Sequence, residues 1–351
     1  MIRPYPGDAG KIITLGLVIT KDCETGTPNV GVYPLQLQFC NTMSVHWLSV
    51  RGGARHLKKA AENGKKLEIA IALGVDPLII MAAATPTEWL FAGLYGGSGV
   101  KLNKCKTLDL ELPADSEFVL EVTITPGEVL PDGPFGDHMG YYGGVEGSPM
   151  IRFHCMTHRK EPIYLTTFSG RPPEEEAMVA IDLYRIYTPI LRQQVSEIMV
   201  FFLPMEALSY KATVISIKKA YPAQARRTAL AFWSALPQFT YIKFVIVVDD
   251  KFNIRDPPQV LWAISSKVDP SRDVFILPNT PFDSLDFASE KIGLGGRMGI
   301  DATTKIPLET DHKWGATLES DPDVVAIVDR RWGEYGFNDL KLGKVDPFVW
   351  V

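Results

Sequence analysis

The sequence predicts an α+β protein in two parts: a closed or split β-barrel with helices packed outside it, then an α/β domain with a terminal helix. Three observations carry that expectation. Short apolar, β-branched runs follow one another from Ile12 to Phe168, and their long crossovers hold one helical pattern each. Composition then breaks at S-G-R-P-P-E-E-E (169–176). Beyond that break strand and helix patterns alternate, as in α/β proteins. With 351 residues, 46% of them hydrophobic, the chain is long enough for two cores, and the parts are expected at 1–170 and 171–351.

Taken in order, Ile12–Thr20 is apolar and β-branched and reads as a strand, and K-D-C-E-T-G-T-P-N reads as the turn after it. Val30–Phe39 and Asn41–Ser49 read as two further strands. Between Gly53 and Gly64, Ala54, Leu57, Ala60 and Ala61 recur at helical spacing opposite lysines, so an amphipathic helix leads into the strand Leu67–Leu73. Asp76-Pro77 opens an apolar helix to Ala84, and Glu88 opens a second helical stretch. Strands are expected at Lys104–Glu111, Phe118–Thr125, Pro149–Thr157 and Ile163–Phe168. The second part should hold a long helix at Ala177–Val195, a strand at Lys211–Ile217, a helix at Ala223–Leu236 and a strand at Phe244–Val248. After Pro281 the chain reads as loop-rich, closing with a helix at Asp321–Tyr335.

Charge and cysteine usage exclude several classes. A net charge of −5 without a dense Lys/Arg stripe argues against nucleic acid, and the basic cluster Arg55–Lys66 reads as a solvated helix face. Cys23, Cys40, Cys105 and Cys155 lie far apart, which suits reduced thiols in a cytoplasmic compartment. The N-terminus has no apolar signal region, and the longest apolar run, Ile69–Ala84, is interrupted by Asp76 and Pro77 and cannot span a bilayer.

The stretch with most chemistry is P-D-G-P-F-G-D-H-M-G-Y-Y (131–142), where Asp132 and Asp137 flank a Gly-Pro-Phe-Gly turn. Gly133, Pro134 and Gly136 stiffen that turn, and two nearby acids in a dry site can leave one able to donate a proton near neutrality. The same residues also suit a plain hairpin turn with solvated aspartates. Asn29, before a strand, and Glu88, at a helix start, offer oxygen ligands of the kind Mn²⁺ or Mg²⁺ accepts, but singly each reads as structural. G-L-G-G-R-M-G (293–299) misses the dinucleotide fingerprint, yet its Arg297 beside exposed backbone amides could meet a phosphate. His154 and His158 share a strand face about 13 Å apart, too far to share a metal.

Long motifs in order give these residues a context: N-V-G-V-Y (29–33), H-W-L-S-V-R-G-G-A (46–54), A-L-G-V-D-P (72–77), D-G-P-F-G-D-H-M-G-Y-Y (132–142), T-F-S-G-R-P-P-E-E (167–175), P-Q-F-T-Y-I-K-F-V-I-V-V-D-D (237–250), L-D-F-A-S (285–289) and G-G-R-M-G-I-D-A-T (295–303). Together they resemble the UbiD family of prenylated-flavin-dependent decarboxylases, in the branch acting on polyprenyl-4-hydroxybenzoate. The resemblance implies a split β-barrel flavin-binding domain holding prenylated FMN, with Mn²⁺ and usually K⁺ at its phosphate. By match, Asn29 and Glu88 would be the metal ligands. Val32, Tyr33, Pro34, His46, Trp47, Leu48, Arg51 and Gly52 would line the flavin, and Arg297 falls where many members place a phosphate-contacting Lys. Asp137 matches the proton donor, and Asp132 stands where the family often has Glu.

Three departures from the family pattern accompany the match. Its catalytic Arg, five residues after the metal-binding Asn, is Pro34 here, which removes a guanidinium and a backbone donor. The loop A-A-A-T-P-T-E-W (82–89) before the Glu is short, and Met1 falls almost at the barrel entry, so the family's N-terminal domain is expected to be missing. The resemblance further implies a flavin prenyltransferase as source of the cofactor, a small aromatic acid with a lipid tail as substrate, and a homo-oligomer, dimer or hexamer, formed through the C-terminal region. The expected setting is the cytoplasm, with the greasy substrate drawing the protein to the surface of the inner membrane.

Overall fold

In the computed structural model, residues 1–336 are described apart from 48–51, 84–88, 90, 91, 94, 95, 173–186, 209 and 319. The chain divides into two units, Met1–Ala180 and Ile181–Val351.

Unit 1 is built on an eight-stranded antiparallel sheet in the order β1-β4-β5-β10-β9-β6-β2-β3. Its strands are β1 (Ile12–Ile13), β2 (Leu17–Lys21), β3 (Pro28–Val32), β4 (Leu35–Phe39), β5 (Thr42–Val45), β6 (Leu67–Leu73), β9 (Phe118–Asp132) and β10 (Glu146–His158). The edge strands β1 and β3 are not paired with each other, so the sheet is not closed into a barrel. β6, L-E-I-A-I-A-L, shows how the sheet is held. Its alternate residues Leu67, Ile69, Ile71 and Leu73 enter one core with Leu35, Met43, Val45, Val122, Ile124 and Ile151. Ala70 and Ala72 enter another, with Leu17, Ile19, Val30, Ile79 and Leu112. Period-two alternation thus serves two apolar faces at once, and each fully buried Ile or Leu contributes about 1.5–3 kcal/mol. Helix α1 (Gly52–Glu62) adds Ala60 to the first core and helix α2 (Pro77–Ala82) adds Ile79 and Ala82 to the second. Asp76 caps α2, its carboxylate accepting from Leu78 N at 2.8 Å, with Pro77 in the first turn where no N–H is needed.

The structure divides several strands that the sequence reads as single. Gly16 separates β1 from β2, where an added Cβ would lie 2.9 Å from Leu35. Tyr33-Pro34 separates β3 from β4, since proline lacks the ladder N–H. Lys104–Glu111 is not one strand but a turn between β7 (Leu102–Lys104) and β8 (Glu111–Pro113), which pair with each other. Glu121 on β9 organises that turn, accepting from Lys106 N at 2.7 Å and Thr107 N at 2.6 Å. Ile163–Phe168 forms no ladder and is tied by side chains instead: Thr167 N donates to Thr14 Oγ1 at 3.1 Å and Ile163 N to Glu117 Oε2 at 3.1 Å.

Unit 2 holds a five-stranded mixed sheet, β11-β12-β13-β15-β14, with β12, β13 and β15 parallel and the outer strands antiparallel. These are β11 (Ile198–Phe202), β12 (Ala212–Ile217), β13 (Phe244–Asp249), β14 (Val274–Pro281) and β15 (Leu294–Ala302). Helices α3 (Gln224–Ala235) and α4 (Pro257–Lys267) supply the crossovers. The expected helix at Ala177–Val195 is helical over 187–194, its earlier part lying outside the described residues. The region after Pro281 is not all loop: the glycine-rich 293–299 run leads into β15, next to the sheet's centre. Its glycines hid it, yet Gly299 is needed there because an added Cβ would lie 2.2 Å from the Phe275 ring. Phe201, Phe232 and Phe239 form this unit's aromatic core, the last two stacked 4.4 Å apart. The terminal helix α5 (Pro322–Arg330) is shorter than expected and is followed by a 3₁₀ turn at Trp332–Tyr335.

Candidate active site

The acidic turn joins β9 to β10, and its geometry is set from three directions. Gly133, with φ +87°, precedes a cis Gly133-Pro134 bond, and its N–H donates to Gln36 Oε1 on β4 at 2.6 Å. A side chain at Gly133 would meet the Gly144 carbonyl at 2.6 Å, so only glycine serves here. The N-terminal segment braces the other end of the turn. Asp8, 1% exposed, accepts from Tyr5 N at 2.8 Å and from Gly136 N at 2.9 Å, while Ala9 N donates to Pro134 O at 2.8 Å. Tyr142 closes the loop, its hydroxyl accepting from Gly7 N and its ring set edge-on to Tyr5.

Both aspartates are buried, so they are not solvated turn residues. They are also held separately. Asp137 Oδ1 accepts from Met139 N at 2.8 Å, and the backbone closes around it through Asp137 N to Tyr141 O and Gly140 N to Asp137 O, both 3.0 Å. Asp132, 2% exposed at the end of β9, has its oxygens in a different shell. Ser44 Oγ on β5 donates to Oδ1 at 2.7 Å, Ser148 Oγ on β10 to Oδ2 at 3.2 Å, and His46 Nδ1 lies 3.0 Å from Oδ2. The bond to Asp132 raises the His46 pKa above its ordinary value, against burial; the negative charges of Asp132, Glu146 and Asp137 add to the rise. Phe135, from the acidic turn, stands edge-on to the His46 ring at 5.6 Å. Across the β4–β5 hairpin His46 N donates to Pro34 O at 3.2 Å, so Pro34 and His46 are immediate neighbours.

A second cluster forms where β3 meets the start of α1. The Asn29 amide lies directly over Gly52, at which an added Cβ would come 1.7 Å from Oδ1, and the Trp47 indole lies over Gly53. Tyr33, buried, meets Trp47 edge-on at 5.9 Å, and Val32 ends β3 beside them in sequence. Asn29 Nδ2 and Trp47 Nε1 are buried without a hydrogen-bond partner among the described residues. Two unspent polar groups beside the N–H end of an 11-residue helix fit an anionic or metal-bearing ligand. Glu88, Leu48 and Arg51 lie outside the described residues, and among those described no group of three or more His, Cys, Asp or Glu side chains is placed to hold a metal.

Arg297 sits in unit 2, on β15. It is 8% exposed, donates to Pro281 O at 3.1 Å and packs over Trp233 at 5.8 Å, and burial lowers its pKa. Its Nε has no partner among the described residues, and it borders a pocket of about 490 Å³ shared with Lys243, Phe244 and Met298. His154 accepts or donates one bond to Thr123 Oγ1 at 2.7 Å and takes no part in the site. Sequence reading missed Asp8, Gln36, Ser44 and Ser148. Nothing local marks them, because the partners that tie them to the site are 88 to 128 residues away for Asp8, Gln36 and Ser44, and 16 for Ser148.

Comparison with known proteins bears on this arrangement. The 3-octaprenyl-4-hydroxybenzoate carboxy-lyase Rift-related domain matches residues 1–172, and the C-terminal domain of the same carboxy-lyase matches residues 178–302. The uncharacterized protein sll0936 of Synechocystis sp. is 81% identical over 352 residues, which cover 99% of this chain and 70% of that relative. Among solved structures, vanillic acid decarboxylase of Sedimentibacter hydroxybenzoicus in closed form superposes with a TM-score of 0.84 at 30% identity, over 96% of this chain and 72% of that one. The UbiD-class enzyme HmfF of Pelotomaculum thermopropionicum, solved with FMN, gives 0.80 at 31% identity over 93% and 73%. With both domains matched in order across most of its length, the chain belongs to the UbiD family of carboxy-lyases.

Proposed function

We propose that the chain decarboxylates an aromatic acid with the help of prenylated FMN, and that its substrate is a polyprenyl-4-hydroxybenzoate on the way to ubiquinone or a related prenylquinone. The observation that carries this reading is the buried acidic turn, Asp132 to Asp137, on the same sheet as the Asn29–Trp47 cluster at the start of α1. The flavin bound by the Pelotomaculum relative and the aromatic acid in the name of the Sedimentibacter relative support it. In this reading Asn29 and Glu88 hold Mn²⁺, with K⁺ beside it. Val32, Tyr33, Pro34, His46, Trp47, Leu48, Arg51 and Gly52 border the flavin, and Arg297 meets its phosphate. Residues 1–170 bind cofactor and metal, and 171–351 serve self-association.

When bound, prenylated FMN supplies the electron sink for loss of CO₂. The remaining work falls to side chains. Asp137, fixed by the Met139 amide, protonates the substrate carbon that CO₂ leaves. Asp132, buried at the end of β9, serves as the charge that tunes Asp137.

A second reading, a catalytically impaired flavin-binding or assembly subunit of a quinone-biosynthesis complex, is favoured by Pro34, which removes the guanidinium the family pattern expects, and by the shortened loop before Glu88. Coexpression with a flavin prenyltransferase separates the two. The decarboxylase reading expects a modified-flavin absorption spectrum and CO₂ release from the aromatic acid; bound flavin with no CO₂ release supports the second. Light scattering on the same preparation should give a dimer or hexamer, and a monomer would refute the self-association role. No helix of the described residues is long and apolar enough to cross a membrane; in this reading the substrate's lipid tail draws the protein to the inner membrane.

A further inference from the structure

Asp132 poses an electrostatic problem that its hydroxyl partners do not solve. A carboxylate 2% exposed stays ionised only when hydrogen bonds, an opposite charge or both replace the water it has lost. Ser44 and Ser148 donate to it, but neither carries charge. Among the described residues one basic side chain reaches it: His46, whose Nδ1 is 3.0 Å from Oδ2. The resemblance to the family places a guanidinium at Pro34, and Pro34 is the residue whose carbonyl receives the His46 N–H, at 3.2 Å. A cation at position 46 therefore stands directly across the hairpin from the position where that charge is lost.

We infer that His46 is the cation of this site, an imidazolium that neutralises Asp132 in place of the guanidinium absent at Pro34. The inference rests on the decarboxylase reading only for its effect on turnover. Phe135, from within the acidic turn, stands edge-on to the imidazole at 5.6 Å, so the ring packs against the turn as well as bonding Asp132. His46 is a positioning residue: it acts through Asp132, whose charge it holds in place by the bond to Oδ2. The charged groups that act on it are Asp132 on β9, Glu146 on β10 and Asp137 in the turn, all negative, and all favour the protonated ring. Deprotonation of His46 with rising pH should therefore give activity a basic limb.

Two measurements test this. In nuclear magnetic resonance of the full chain, the His46 imidazole should titrate above its ordinary value of 6.5, and Asp132→Asn should bring that titration down. A ring that titrates at or below 6.5, or is indifferent to Asp132→Asn, overturns the inference whether or not the chain is active. In the cofactor-loaded enzyme, His46→Gln should lower kcat by roughly 10-fold or more, because a buried carboxylate is left without its counter-charge. It should also remove the basic limb of the pH profile, and Pro34→Arg added to His46→Gln should restore part of the rate. Full activity in His46→Gln overturns the inference. A loaded wild-type enzyme that releases no CO₂ while His46 titrates as expected counts against the decarboxylase reading and leaves the ion pair standing.

Discussion

Gly52 has no room for a side chain, and the reason is the neighbour above it rather than backbone conformation. A Cβ there would lie 1.7 Å from Asn29 Oδ1 and 2.4 Å from its Cγ, so the amide that is proposed to hold the metal occupies the space a methyl would need. Gly52→Ala should keep the circular dichroism spectrum of the fold while lowering bound Mn²⁺, measured by elemental analysis of the loaded protein, by roughly 10-fold or more, in line with what displacing a ligand costs. Unchanged metal content would remove Asn29 from the metal site. The two histidines beside this region show how environment divides one residue type. His46, bonded to a carboxylate, is pushed toward the charged form. His56 on α1 bonds the Thr20 hydroxyl at 2.8 Å, and burial pushes its pKa down, toward the neutral ring.

The acidic turn is held as an element by a segment more than 120 residues earlier in the chain. Asp8 spans Tyr5 N and Gly136 N, and Gly136 immediately precedes Asp137. Asp8→Ala leaves two amides without acceptors, at about 1–3 kcal/mol each where burial is complete. It should lower stability to denaturant by about 1–3 kcal/mol and speed hydrogen exchange at the Gly136 amide, with Asp8→Asn recovering part of both; protection of Gly136 unchanged in Asp8→Ala would show that the brace is not needed. This element also marks the limit of what the sequence discloses. The strands of unit 1 were legible because β-branched runs alternate over two apolar cores, and the aspartates were legible because glycines and a proline bracket them. Asp8 was not, since a single acid in P-Y-P-G-D looks like any turn residue until Gly136 is brought to it. Arg297's strand was hidden for the opposite reason. Its glycines read as loop, although they are what lets β15 pack under Phe275 and Phe282. Ile163–Phe168 reads as a strand because its residues favour one, but its partners are side chains and no ladder forms.

Across the whole molecule, carboxylates in both units are held below their ordinary pKa, and the chain's response to acid follows from that. Burial alone would raise Glu121 in unit 1, but the Thr107 hydroxyl and the amides of Lys106 and Thr107 outweigh it, and its pKa falls. In unit 2 burial likewise opposes the change at Asp273, and Arg272, the Asp269 amide and Lys305 together lower it. Each such group binds protons more readily unfolded than folded. Its stabilisation is therefore complete above the ordinary carboxylate range and is lost as pH falls through the depressed folded value. His46 works in the other direction: its raised pKa stabilises the fold below the ordinary histidine value, and that contribution fades as pH rises through the folded one. The carboxylates are spread over both units, so acid should weaken both, with the urea midpoint falling steeply below about pH 4. Glu121→Gln isolates one contributor. It should be less stable than wild type at pH 7, by about 1–3 kcal/mol for amides whose charged acceptor is gone. Between pH 5 and pH 3, roughly the carboxylate window, it should lose stability less steeply than wild type. A variant with the wild-type slope would mean that the β7–β8 turn, for all its short bonds to Glu121, contributes nothing to acid lability.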